Sequence, residues 1–486
     1  MRFNSPIYLA FLLIVVSLVW LMPTRSRRWV LLVCSYVFYA SWHWPYLGLL
    51  VGSAALNHWG AKWIVAGPPN RKGRGGWVLA ANVLLLAVFK YLSWLCDNAN
   101  IVGSWLGVDQ LVSVPHWILP LGISFYVFEA ISYTVDIVRK RERIHSFWDF
   151  QLFIAFFPKL IAGPIMRAKE LLPQIEKPET GLDSRAIFDG LWLIVSGLFL
   201  KIVLADSLSP QIDQAFARQF ASVGATDVYL MAVAFGLQIY LDFSSYSRMA
   251  IGSARLCGIQ LVDNFNYPYS AVSPVDFWNR WHMSLSRWIR DYLFFPLLGK
   301  KATLGAMCRA ALISMTLCGI WHGAGWPFLL WGLYHGCLIA GYHVLTYRQR
   351  NSGAPAAAIE SQAKWPVKQL LAMLTTFALV SLGWVFFRSS TTAQAFGLLQ
   401  RALMPWEYSY RALSGTFYLH TALLTLAIWV APLAAKWVAA VNRTIEDRSA
   451  AGNAVYAFAQ GSLIGAMLVL CLIYLRGQTA FIYFQF

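Results

Sequence analysis

Two histidines stand out because an ionisable side chain does not match the residues around it. His282 lies in Phe277-Trp278-Asn279-Arg280-Trp281-His282-Met283-Ser284-Leu285-Ser286, and His322 in Gly319-Ile320-Trp321-His322-Gly323-Ala324. An ionisable group held at membrane depth marks a functional site by default. Imidazole exchanges protons near neutral pH, so it can take the proton of a hydroxyl whose oxygen attacks a thioester carbonyl. A second donor can steady the oxyanion that forms. No GxSxG, P-loop, dinucleotide fingerprint or HExxH motif offers a rival chemistry. The seven cysteines are scattered, with no CxxC and no metal-ligand spacing. They read as small core residues, and no metal site is expected.

The elements that would hold these groups follow from local pattern. Taken as one helix, residues 277–292 place Trp278, Trp281, Leu285, Trp288, Ile289 and Tyr292 on one apolar face, with Arg280, Ser284, Arg287 and Asp291 opposite. This is an amphipathic helix suited to the membrane interface. His282 falls about 60° from the centre of its apolar face. Periodicity alone leaves two readings open, a reactive imidazole or an interfacial anchor that caps a carbonyl. After the apolar run 305–320, Gly323, Gly325 and Pro327 end or distort the helix just past His322, and glycine lets backbone or substrate come close. A satisfied histidine at a helix break is the plain alternative. On an unbroken helix His335 would lie about 20 Å further along on another face, so it is not grouped with His322. His343 and His420 read as interfacial, and His43, His58, His116 and His145 have no supporting context. Asp242, in Tyr240-Leu241-Asp242-Phe243-Ser244-Ser245-Tyr246, needs a partner in its apolar run. Orienting an imidazole and pairing with Arg248 are both open.

The surroundings are those of a multi-pass membrane protein. Apolar residues make up 58% of the 486-residue chain and charged residues 13%, and mean hydropathy is +0.54. The 23 tryptophans suit interfacial anchoring. The net charge of +17 sits in short loops between apolar runs, which points to cytoplasmic loops and anionic lipid and excludes a nucleic-acid surface. Spanning candidates are 5–22, 29–51, 76–96, 117–138, 186–205, 226–247, 326–345, 369–387, 417–434 and 454–475, with shorter runs at 53–67 and 305–320. The first is expected to be a retained span rather than a signal peptide. Pro158, Lys159, Gly163 and Pro164 make 150–164 re-entrant. Basic loops put both termini outside after twelve crossings, with Arg388, Arg401 and Arg411 discordant. Residues 248–304 form the largest cytoplasmic or interfacial segment, and 352–358 form a loop of small residues. The expected architecture is all-α, a single transmembrane domain over 1–486, with 248–304 carrying His282 and 305–345 carrying His322.

Several segments, taken in order, resemble the membrane-bound O-acyltransferase (MBOAT) family, most closely its bacterial alginate O-acetyltransferase-like branch. They are Leu119–Phe125, Ile131–Asp136, Phe157–Ile165, Tyr240–Tyr246, Asp263–Tyr269, the two histidine segments and Phe481–Phe486. The resemblance implies a helical shell of about 11–12 transmembrane helices around a central funnel, in a bacterial inner membrane. His322 would be the general base and His282 its assistant. Trp278, Arg280, Trp281, Ser284, Arg287, Asp242, Tyr240, Trp321 and Gly323 would bind donor or line the funnel. The donor would be a cytoplasmic acetyl thioester, most simply acetyl-CoA, with no bound cofactor. The partners would be a periplasmic serine-hydrolase-like (SGNH) acetyltransferase, an exopolysaccharide synthesis and secretion complex, and membrane lipid. Alginate or cellulose would be the polymer. Ser245 and Arg248 depart from the family's usual Gly and Asp, so no acidic role carries over there. A related branch D-alanylates teichoic acids from a carrier protein. A polysaccharide or lipid transporter and a secretion scaffold are the non-enzymatic alternatives; both predict that replacing His322 is tolerated.

Overall fold

The computed structural model describes residues 1–67, 70–108, 110–115, 117–181, 183–351, 366–446, 450–475, 479 and 481–482. His116, the small-residue loop 352–358 and Tyr483–Phe486 lie outside these. Among the described residues the chain is helical, with no strand. In order the main helices are α1 (Pro6–Leu21), α2 (Arg27–His43), α3 (Pro45–Ala66), α4 (Arg71–Trp105), α5 (Ile123–Val138), α6 (Phe147–Ala155), α7 (Phe157–Leu160), α8 (Ala168–Glu176), α9 (Ser184–Phe216) and α10 (Ala225–Leu256). They continue as α11 (Pro274–Arg280), α12 (Met283–Ile289), α13 (Leu304–His322), α14 (Trp326–Asn351), α15 (Pro366–Arg388), α16 (Thr392–Ala402), α17 (Gly415–Glu446) and α18 (Ala450–Tyr474). Eight of the described helices are long and apolar enough to cross a bilayer: α4, α9, α10, α13, α14, α15, α17 and α18. The chain is an all-α polytopic membrane protein.

Some boundaries differ from the hydropathy reading for identifiable reasons. The run 117–138 is helical only from Ile123, because Gly122 holds a left-handed conformation (φ +72°) that turns the chain. A Cβ there would lie 2.2 Å from the Leu160 carbonyl oxygen. Helix α10 continues to Leu256, past the expected end at 247. Helices α4 and α9 each contain a wider π-helical turn, at Ala87–Tyr91 and Leu200–Ala205.

The chain divides into two compact units, residues 1–194 with 246–263, and residues 195–245 with 264–486. In the first unit α5 is buried on almost every side, and its Glu129 and Thr134 side chains have partners. Glu129 pairs with Lys159 and accepts from the Met166 amide at 3.0 Å. Thr134 donates to the Asn57 amide oxygen at 3.1 Å, and Asn57 and Asn82 exchange amide hydrogen bonds at 2.8 and 3.0 Å. Such pairing is required where no water can satisfy a buried polar group. Residues 149–166 are buried throughout and break into α6 and α7 around Phe156.

On the basic edge of the same unit, His145 is clamped between two carboxylates. Its Nδ1 lies 2.7 Å from Glu176 and its Nε2 3.1 Å from Glu142. Burial opposes the cation, but hydrogen bonds and charge from both glutamates outweigh it, so the pKa stands above the ordinary histidine value. A raised folded-state pKa contributes stability that is complete below the unfolded value of about 6.5 and is lost as pH rises through the folded value. Thermal unfolding of wild type and His145→Gln is expected to differ most near about pH 6 and least near about pH 9. A gap independent of pH would show that the imidazole is neutral in the fold.

In the second unit α13 and α14 form a tight hairpin. A Cβ on Gly319 would lie 2.2 Å from the Phe328 carbonyl oxygen, and one on Gly332 would lie 2.3 Å from that of Met315. Gly336, one turn beyond Gly332, meets the Leu312 backbone. Glycines four residues apart let two helix backbones touch. The hairpin therefore lays α14 back along α13 and sets Trp331, nine positions after His322, against the His322 ring.

Candidate active site

All the groups described below belong to the second unit. Residues 277–292 are not one helix. Ser273 caps α11 by accepting from the Asp276 amide at 3.1 Å, and the helix stops at Arg280. Trp281 is extended, and His282 adopts a left-handed conformation (φ +41°, ψ 55°) before α12 starts at Met283. A non-glycine residue in that region is uncommon, and such strain concentrates at functional sites. The break is pinned from the side, where the Asn266 amide donates to Arg280 O at 2.9 Å and the Met283 amide to Asn264 O at 2.8 Å. The periodic reading missed the break because Trp281 and His282 carry no helix-breaking signal of their own.

The break changes what each neighbouring side chain does. His282 is fully buried. Its Nδ1 lies 3.2 Å from Asn264 Oδ1, which also accepts from Ser284 Oγ at 2.7 Å. An amide oxygen only accepts, so Nδ1 carries the proton and Nε2 the lone pair. Burial first, and the charge of His322 second, hold the His282 pKa well below the ordinary range. Ser284, expected on the polar face, is instead buried beside this imidazole. Arg280 is committed to Asp276 at 2.8 Å. Arg287 donates to its own helix at Met283 O, 3.4 Å away. Trp281 is buried against Phe277, Phe265 and Trp384, with Tyr240 6.2 Å away.

His322 closes α13 and is likewise buried. Its Nδ1 lies 2.7 Å from the Cys318 carbonyl oxygen one turn earlier. Again the carbonyl can only accept, so the neutral ring is protonated at Nδ1 and basic at Nε2. Gly323 is extended, and a Cβ there would fall 2.2 Å from the Phe328 ring, so the turn needs a glycine. Trp321 (4.8 Å between ring centroids), Trp331 (4.9 Å) and Phe387 (5.5 Å) surround the imidazole. Trp321 also lies 6.4 Å from the His282 ring, so the two histidine segments meet. Phe243 of α10 stands edge-on to His282 at 4.7 Å.

Three features were not visible in the sequence. His335 is not remote: it lies one turn after Trp331 on α14, ring centroids 4.9 Å apart, and the hairpin packs Trp331 against His322. Asp242 neither orients an imidazole nor needs Arg248. It pairs with Lys201 at 2.6 Å and accepts from the Ile482 amide at 2.7 Å, while Lys201 also meets Asp206 at 2.7 Å. A cleft of about 180 Å³ opens beside the site, and its polar lining is Asn279, Ser286, Arg290, Ser314 and His343, with Trp278 on one wall. His343 is thus a cleft residue, and of the arginines in this stretch Arg290 faces the cleft while Arg280 and Arg287 do not. Among the described residues no group of three or more His, Cys, Asp and Glu is placed to hold a metal ion.

Two buried imidazoles, each with Nδ1 fixed as donor and Nε2 left basic, suit proton abstraction from a hydroxyl. The profile of the membrane-bound O-acyltransferase family matches residues 137–385, which include both histidines. The chain is 38% identical to the probable alginate O-acetylase of Azotobacter vinelandii over 394 residues, covering 80% of this chain and 75% of that protein. This chain belongs to the MBOAT family. It is therefore an acyltransferase. It is also 34% identical to the peptidoglycan O-acetyltransferase of Helicobacter pylori, covering 78% and 74% of the two chains. With the teichoic acid D-alanyltransferase of Bacillus subtilis it shares 27% identity, over 56% of this chain and 70% of that one.

Proposed function

We propose that this MBOAT protein takes an acetyl group from a cytoplasmic thioester, most simply acetyl-CoA, and passes it across the bacterial inner membrane to O-acetylate a secreted polysaccharide. The observation that carries the reading is the fixed tautomer of His322, whose Nδ1–H is held by Cys318 O so that Nε2 is the base. The acetylases among its relatives support acetyl as the group moved and a glycan as the final acceptor. The acceptor hydroxyl gives its proton to His322 Nε2 as its oxygen attacks the thioester carbonyl. The new ester C–O bond forms, the C–S bond breaks, and the thiolate leaves as thiol once it regains a proton. His282, whose segment meets that of His322 at Trp321, is the second imidazole and would assist at the donor side through Nε2, its basic nitrogen. The cleft with Arg290 and His343 at its wall supports entry of an anionic donor at that side. A serine-hydrolase-like periplasmic partner within an exopolysaccharide secretion complex would carry the acetyl group from the membrane to the polymer, alginate or cellulose.

The test is thiol release from radiolabelled acetyl-CoA by purified protein in nanodiscs, with and without a serine-hydrolase-like periplasmic protein. Release that transfers label to that protein is the expected result. Release only from a D-alanyl carrier-protein thioester would replace this reading with the activity named for the Bacillus subtilis relative.

A further inference from the structure

The surroundings of His322 are too crowded for a generic acyl site. Trp331 is fully buried, and Phe387 is 1% exposed. The two rings pack on each other at 5.1 Å and both lie against the imidazole. Behind Phe387 stand Phe328 at 5.1 Å and Phe235 at 6.3 Å, and Trp384 braces both Trp331 and Phe387 at 5.9 and 5.6 Å. On the other side Trp331 meets Trp278, the wall of the cleft, at 5.8 Å. A reacting carbonyl must sit within about 3–3.5 Å of the attacking oxygen, itself in hydrogen-bond reach of Nε2. Its alkyl substituent therefore starts inside this aromatic packing. Interiors of this density do not yield to extra methylenes without displaced rings.

We propose that Phe387, with Trp331, closes the acyl end of the His322 site and sets an upper limit on acyl chain length, so that acetyl passes and longer chains do not. The inference rests on the acyl-transfer reading above and adds the basis of its selectivity. Phe387 is the better point of test because it does not line the cleft and its truncation opens space at the closed end. Trp331 also packs on Trp278 of the cleft wall, so changing it alters two things at once.

The experiment compares acetyl-, butyryl- and hexanoyl-CoA as donors for nanodisc-embedded wild type, Phe387→Ala, Phe387→Leu and the exposed control Phe396→Ala. A single methylene in an apolar pocket discriminates by about 10–200-fold in kcat/KM. Wild type is expected to favour acetyl by at least that margin. Phe387→Ala is expected to raise the butyryl-to-acetyl ratio of kcat/KM at least about tenfold, with Phe387→Leu in between and Phe396→Ala unchanged. The ratio, not the rate, is the readout, because general loss of structure lowers all donors together. Should Phe387→Ala fail to fold, Phe387→Leu carries the same comparison. A wild type that uses butyryl as well as acetyl, or folded variants whose ratio does not move, would overturn the length limit. A wild type that ignores acetyl-CoA but accepts another short thioester brings down the acetyl reading alone. The length limit is then judged on that donor's homologous series by the same shift.

Discussion

His322→Ala is expected to lower acyl-transfer turnover by about 10²–10⁴-fold, the usual contribution of a positioned general base, while KM for the donor changes little. The separation of the two constants follows from the geometry. The cleft proposed to admit the donor is lined by residues as near to His322 as Met315, seven positions earlier on α13, or about 10 Å along the helix axis. His322 itself is not among its lining. Donor binding therefore survives the substitution, whereas the proton of the hydroxyl has nowhere to go. His322→Gln should be nearly as damaging. Its amide can imitate the hydrogen bond to Cys318 O but carries no basic nitrogen. Steady-state thiol release, checked against monodisperse protein at normal yield, decides the matter. Turnover close to wild type in His322→Ala would remove His322 from the mechanism and assign the base to another group.

The largest structural effect is expected at Lys201. Its ammonium is buried and pairs with two buried carboxylates, Asp206 and Asp242, and it donates to Thr479 at 3.3 Å. Removing one partner of a buried ion pair typically costs about 3–5 kcal/mol, because the charge left behind has no water to solvate it. Lys201→Met should destabilise the protein by about that amount, read as a lower unfolding midpoint in detergent. The triple variant Lys201→Met/Asp206→Asn/Asp242→Asn should recover much of the loss, since a cluster with no formal charge lacks the desolvation penalty. Equal midpoints for the single and triple variants would mean that the lysine acts through packing of its aliphatic stem and not through its charge.

The sequence made the helical class and the two histidine segments legible because both are local properties, a run of apolar residues and an imidazole set among aromatic and glycine residues. The partners of those histidines were not legible. Asn264 lies 18 residues before His282 and reaches it only because the chain turns back across the helix break. His335 was set aside on the geometry of an unbroken helix, whereas the hairpin packs Trp331, one turn before His335, on His322. Lys201 lies in a π-helical turn whose extra residue shifts every later position around the helix axis, so a period of 3.6 cannot say which way it points. In each case what was missing is a return of the chain or a change of helical pitch, and neither leaves a mark in composition.

The glycine contact between α13 and α14 has a mechanical consequence. With backbone against backbone at Gly319 and Gly332, no side chains lie between the two helices there to be compressed or to change rotamer. The pair behaves as one beam of doubled cross-section, and its bending stiffness rises faster than its width. His322, at the folded end of that beam, therefore keeps its position while softer parts of the unit deform around it. The turn Arg290–Phe294, wound more loosely than an α-helix and bordering the cleft, has no such brace. On the proposed route a donor entering there would meet a base held in place, so that the point of proton transfer stays fixed whatever the shape of the donor.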